Sequence, residues 1–231
     1  MNPINTVWLR GWKHLLDAVL PTQCAGCGRW DTTLCPDCMS IARRPPQLTT
    51  IDQNFPEAVV SLGPYEGALR RLILVAKHSE REDLTSFLTQ AGINLGKACG
   101  LAAVPDDHYR EVWVVPAPSS WRRRLHGRSV TVPLSQAVAR GIAQSLNSLG
   151  IYTIEVSVVD AVRLRVGARS QSGRGGQERR RGRHATMRAR VTPPRSAAVV
   201  LVDDVVTTGA TLTELARCLG RAQIAVCLST V

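Results

Sequence analysis

The chain has 231 residues, of which 44% are hydrophobic and 4% aromatic; that suffices for one full α/β domain plus a small appendage and excludes a disordered chain. Its net charge of +11 is uneven, because residues 161–195 hold eleven arginines against one acid, Glu178, and the remainder is close to neutral. Such a block points to an anion-facing or nucleic-acid-facing loop and excludes a uniformly basic surface.

Residues 4–20, INTVWLRGWKHLLDAVL, set Trp8, Trp12, Leu15, Leu16 and Val19 at spacings of three and four. This predicts an amphipathic helix that packs within the chain or faces a partner. Arg10, Lys13, His14 and Asp17 interrupt the apolar residues, so no signal-peptide core and no membrane span of about 20 apolar residues is expected. The expected location is the cytoplasm.

Next come Cys24-Ala-Gly-Cys27-Gly and Leu34-Cys35-Pro-Asp-Cys38, two CxxC knuckles separated by seven residues. Two residues between thiolates let both sulfurs converge on one ion, and four sulfurs complete a tetrahedral zinc shell with no open position. The zinc is therefore expected to be structural, holding a ribbon too small to fold alone. A redox dithiol pair and an iron–sulfur cluster are the alternatives. The odd total of seven cysteines favours a metal site in a reducing compartment over a disulfide scaffold. Cys99, Cys218 and Cys227 fall in helical or strand patterns and read as packing residues. Residues 1–41 thus form the helix and ribbon, and the polar, proline-bearing stretch 42–56 reads as a linker.

Residues 57–231 alternate in type. AVVSLG (58–63) predicts a strand, YEGALRRLILVAKH (65–78) a helix, and LTSFLTQAGINLGKAC (84–99) a helix despite its two glycines. VWVV (112–115) predicts a strand, and VPLSQAVARGIAQSLNSL (132–149) a helix with proline in its first turn. VSVVDAV (156–162) reads as one strand, and 163–195 as a flexible arginine-rich loop. AVVLV (198–202) is a strand, ATLTELARCLGRA a helix and IAVCLSTV the last strand. The alternation implies a mostly parallel sheet with helices on both faces.

Val199 to Val202 is a continuous apolar run, so Asp203 and Asp204 emerge at the C-terminal end of a buried strand, where ligands bind in open α/β sheets. Thr207-Thr208-Gly209-Ala210-Thr211 then turns into a helix, offering free N–H groups, hydroxyl donors and the positive end of a dipole to an anion. A nucleotide hydrolase would need a GxxxxGK[ST] loop. Gly92-Ile-Asn-Leu-Gly96-Lys97-Ala98 is one residue short, lacks the hydroxyl residue and sits in a helical pattern. A turn for a monophosphate beside two carboxylates for ribose hydroxyls suits a phosphorylated pentose.

VVLVDDVVTTGAT resembles the phosphoribosyl-pyrophosphate (PRPP) binding motif of type I phosphoribosyltransferases: an apolar strand, two acids, two variable residues, then TTG[A/G]T. With a four-cysteine ribbon ahead of it, the chain resembles the ComF family of competence-associated phosphoribosyltransferase-like proteins over nearly its whole length. Tyr65-Glu-Gly67-Ala-Leu-Arg-Arg-Leu-Ile with Lys77, Val115-Pro116-Ala-Pro118, and Gln171 with Glu178-Arg179 are similar to further segments of that family.

The resemblance implies a type I phosphoribosyltransferase-like fold that binds PRPP with Mg²⁺. Asp203 and Asp204 would be the catalytic carboxylates, orienting the ribose hydroxyls and favouring positive charge on the sugar, and Thr207, Thr208, Gly209, Ala210 and Thr211 would hold the 5′-phosphate. Lys77, Arg122, Arg123 and Arg124 are the candidates for the pyrophosphate. Two functions follow: transfer of phosphoribose to an acceptor, or a non-enzymatic adaptor that binds PRPP or single-stranded DNA and docks a DNA-translocating helicase during DNA uptake. The arginine block serves either as a phosphate lid or as a DNA contact, and its lack of aromatic residues favours the lid.

Overall fold

Ala197–Val202 is apolar at every position and buried at every position, so this strand needs cover on both faces. In the computed structural model, which describes residues 22–50, 58–78, 84–104, 108–118, 129–165 and 186–231, it receives that cover at the centre of a six-stranded sheet. The strands among the described residues are β1 (Gln47–Thr50), β2 (Ala58–Ser61), β3 (Glu111–Pro116), β4 (Glu155–Val158), β5 (Val162–Leu164), β6 (Met187–Ala189), β7 (Ala197–Val202), β8 (Val205–Val206), β9 (Ile224–Val226) and β10 (Ser229–Thr230). The main sheet has the order β1-β2-β9-β7-β3-β4. Five of its strands are parallel, and β1 pairs antiparallel with β2 at one edge.

Ala198, Val200 and Val202 of β7 enter a core that holds residues of the helices Gly67–His78, Thr85–Cys99 and Thr131–Ser148. Val199 and Leu201 enter a second core beneath the helix Ala210–Leu219. The mixed α/β architecture with a mostly parallel sheet and helices on both faces is therefore the one expected. The chain passes from β3 to β4 on one side and then returns to β7 on the other. The crevice between the C-terminal ends of β3 and β7 is a topological switch point, the place where open α/β sheets bind ligands.

The glycines that weaken 84–99 as a helical sequence have a packing reason. A Cβ on Gly92 would meet Ala137, one on Gly96 would meet the carbonyl oxygen of Val138, and one on Gly141 would meet that of Ile93. Helix propensity is given up at these positions for close backbone approach.

Several boundaries differ from expectation. Part of the expected linker, Gln47–Thr50, is an edge strand whose four residues are all exposed. Its signal is pairing with β2, which no one-face pattern announces. The preceding stretch is tied to the fold by Asn94 Nδ2, which donates to the carbonyls of Ala42 and Arg44 at 3.1 and 2.7 Å. VSVVDAV is two strands: the Val159 N–H still donates to Val114, then the chain turns at exposed Asp160 and β5 leaves the main sheet to pair with β6. IAVCLSTV also divides, its end pairing with β8 as β10.

The ends of the expected arginine loop are ordered as the β5–β6 ribbon, while 166–185 lie outside the described residues. So do the expected 4–20 helix, Arg122 to Arg124, Gln171, Glu178 and Arg179. No helix among the described residues is long and apolar enough to cross a membrane.

Candidate functional site

The four-cysteine cluster is built by two tight turns. Cys24 and Arg29 close the first through backbone hydrogen bonds from Cys24 N–H to Arg29 and from Gly28 N–H to Cys24, each 2.8 Å. Gly28 turns with φ 79°, a conformation that suits glycine. The second knuckle opens the short helix Pro36–Ser40, with proline in its first turn. The four sulfurs of Cys24, Cys27, Cys35 and Cys38 all lie within 4.8 Å of one another, and those of Cys27 and Cys35 are 3.6 Å apart. A zinc tetrahedron with Zn–S of about 2.3 Å has sulfur–sulfur edges of roughly 3.8 Å. The spacing fits one ion.

The charge distribution fits a cation as well. Burial opposes ionisation of Cys24, but the N–H groups of Cys27, Cys35 and Gly26, with the Cys35 thiol, outweigh it and bring this thiol down to about 6. Burial pushes Cys38 the other way, together with hydrogen bonds among the clustered sulfurs. A divalent ion at the centre of the four sulfurs would favour the thiolate form of each. Gly26 is a residue that sequence reasoning passed over. A Cβ there would lie 2.5 Å from Cys38 Sγ, so the small residue inside CAGC is the signal that the knuckles approach face to face.

The second cluster lies at the C-terminal end of β7. Asp203 N–H donates to Val226 at 3.0 Å and Leu228 N–H donates to Asp204 at 3.1 Å, so the chain leaving β7 is held beside the end of β9. Asp203 Oδ1 accepts from the Asp204 N–H at 2.8 Å. Asp204 Oδ1 also forms an ion pair with Lys77 Nζ at 2.9 Å. The structure brings Lys77, from the last turn of Gly67–His78, to the acidic strand end.

Val205–Val206 makes two parallel pairs with β10 before the turn. Thr207 is exposed, Thr208, Ala210 and Thr211 are half-buried, and Gly209 is buried. Gly209 stands immediately before Ala210–Leu219 with φ 69° and ψ −3°, in the left-handed region. Its carbonyl accepts the N–H and Oγ1 of Thr213 at 2.9 and 3.1 Å. The helix therefore begins a few residues past the end of β7, and a helix's first turn offers N–H groups to an anion. Across the crevice, Ala117 N–H donates to Val202 at 2.7 Å. The Ala117 carbonyl accepts Thr131 Oγ1 at 3.2 Å, which fixes the Pro116–Pro118 end of β3 beside Asp203.

A third feature is the β5–β6 ribbon, which packs against the helix Ala210–Leu219. Along β5 and β6 the residues alternate: Val162 and Met187 are buried and Leu164 is half-buried, while Arg163, Arg165, Arg188 and Arg190 are exposed. Arg163 stands directly opposite Arg188. Three of these arginines share one face, and with Leu164 they line an open groove of about 520 Å³. Arg190 pairs with Asp160. The ribbon is fastened by buried Glu214, which accepts the Met187 N–H at 3.4 Å and two bonds from Arg217 at 2.7 and 2.8 Å. The alternation in VRLR and MRAR was the available signal for this ribbon; the glycine-rich segment between them hid it.

Compared with known proteins, the chain matches no family model and no curated sequence.

Proposed function

We propose that the chain binds PRPP with Mg²⁺ on a type I phosphoribosyltransferase-like domain, fronted by a ribbon that holds one structural zinc. The observation that carries this reading is where VVLVDDVVTTGAT falls: the apolar strand is central, both acids stand at a switch point, and a left-handed glycine opens the next helix. Thr207, Thr208, Gly209, Ala210 and Thr211 would hold the 5′-phosphate through N–H groups and hydroxyls. Asp204, with Asp203 behind it, would accept ribose hydroxyls and favour positive charge on the sugar. Lys77 and Arg122 to Arg124 would meet the pyrophosphate. Mg²⁺, when bound, would neutralise pyrophosphate charge.

In a transfer reaction the C1–O bond of PRPP breaks, pyrophosphate leaves with the bonding pair, and an acceptor lone pair forms the new bond to C1. Calorimetry with PRPP and Mg²⁺ tests the binding. Saturable binding is expected and should vanish when Asp203→Ala and Asp204→Ala are combined in a chain whose circular dichroism is unchanged. Wild-type protein that does not bind would end the reading. An acceptor screen for pyrophosphate release then tests turnover.

A second reading, a non-enzymatic adaptor contacting single-stranded DNA beside a helicase, is favoured by the arginine face of the β5–β6 ribbon. Arginines directly opposite each other repel unless an anion lies between them. Single-strand binding should depend on salt, with a log–log slope that falls by about 0.7 for each phosphate contact removed. Arg163→Ala with Arg188→Ala should flatten that slope; an unchanged slope would discard the ribbon as the contact.

A further inference from the structure

The Lys77 ammonium holds Oδ1 of Asp204, an oxygen that a ligand of this carboxylate would also use. The Asp204 backbone is held in place, its N–H by Asp203 Oδ1 and its carbonyl by the Leu228 N–H. Its carboxylate and the Lys77 ammonium are 2.9 Å apart, with side chains only 15% and 16% exposed, so solvent and salt screen the pair weakly. Lys77 lies in the last turn of its helix, where the negative end of the helix dipole favours a cation. Its four-carbon stem can swing the three ammonium donors between neighbouring acceptors without moving the backbone.

A ligand that offers Asp204 only hydroxyls displaces the ammonium and leaves it shielded without a carboxylate, which opposes binding. A ligand that brings hydroxyls and also an anion supplies the ammonium with a new partner. The free protein thus contains a competitor whose removal is favourable for only one kind of sugar phosphate.

We propose that Lys77 is the residue by which this site distinguishes a phosphoribose bearing an anionic group at C1 from one that lacks it. Its ammonium, paired with Asp204 in the free protein, passes to that anion as the sugar hydroxyls take over the carboxylate. The inference rests on the phosphoribose reading above and adds specificity to it.

Calorimetry on the full zinc-loaded chain, with PRPP and with ribose 5-phosphate, each with Mg²⁺, tests it in wild type, Lys77→Met and Lys77→Arg. Lys77→Met should weaken PRPP by at least about tenfold, while ribose 5-phosphate binds as tightly as before or more tightly. Lys77→Arg should keep the preference for PRPP. Weakening of both ligands by one factor in Lys77→Met would show a merely structural pair and overturn the proposal. Wild type that binds neither ligand would instead overturn the phosphoribose reading itself. Should Lys77→Met fail to fold, acetylation of wild-type lysines read by mass spectrometry decides. PRPP should protect Lys77 and ribose 5-phosphate should expose it; equal labelling with both ligands overturns the exchange.

Discussion

Replacing Gly209 separates what the turn at the end of β8 owes to backbone conformation from what it owes to open space. At φ 69° and ψ −3°, an alanine would set its Cβ against the following carbonyl at a cost of about 1–2 kcal/mol. The turn cannot relieve this by rotating, because the Gly209 carbonyl is held by both the N–H and Oγ1 of Thr213 at 2.9 and 3.1 Å. Two such bonds are together worth about 1–3 kcal/mol, comparable with the strain. We therefore expect the strain to be retained and Gly209→Ala to lower Tm by about 2–8 °C for a chain of this size. Asparagine tolerates the left-handed region better, so Gly209→Asn should be the more stable variant. Both substituents obstruct an anion approaching the backbone, and both should weaken PRPP binding, by about tenfold or more if one N–H contact to phosphate is lost. Thermal unfolding by circular dichroism and calorimetry with PRPP supply the two readouts. An alanine variant as stable as wild type would refute the conformational reasoning; an asparagine variant binding PRPP as tightly as wild type would refute the turn as the phosphate seat.

Metal analysis should find one zinc per chain, and Cys24→Ser should reduce that to a small fraction; a metal-free wild type would remove the ribbon. Native thiol titration should leave Cys99 and Cys227 unreactive, since both are fully buried and burial pushes the Cys99 thiol up to about 12. Chelation should release the four cluster thiols together, and reaction of Cys99 in the folded protein as fast as in denaturant would contradict its burial. Gly96→Ala should destabilise the protein by about 1–3 kcal/mol in chemical denaturation despite the helix propensity gained, because its Cβ would meet the Val138 carbonyl oxygen. Unchanged or raised stability would refute the close helix packing.

The centre of the fold was legible because burial on both faces forces an unbroken apolar run, and Ala197–Val202 is one. The four-cysteine cluster was legible because two CxxC turns bring four sulfurs together largely by local geometry. β1 was not: its four exposed residues carry no one-face pattern, and its place comes from pairing with β2. The split at Asp160 follows from the topology, since only the position of β3 decides where β4 stops. The acidic pair could be read as a pair, but the ion pair of Asp204 with Lys77 could not. That contact depends on the Gly67–His78 helix bringing Lys77 back over the end of a strand far along the chain.

The same helix connects the four-cysteine cluster with the acids. Cys24, Cys35 and Cys38 share one buried core with Leu69, Leu72 and Ile73, and a Cβ on Gly26 would lie 3.4 Å from Leu72 as well as against Cys38. The ribbon is therefore the support on which the middle of Gly67–His78 rests, and Lys77 projects from the end of what it supports. Moving Cys38 away should tilt or loosen that helix and lengthen the reach from Lys77 to Asp204. Gly26→Ala should do so while keeping all four thiolates, and should weaken PRPP binding several-fold, about 1 kcal/mol of coupling between contacting groups. In a Lys77→Met background the same substitution should have little further effect, because the group it displaces is already gone. Equal losses in both backgrounds would show that the ribbon acts on the site by another route than Lys77.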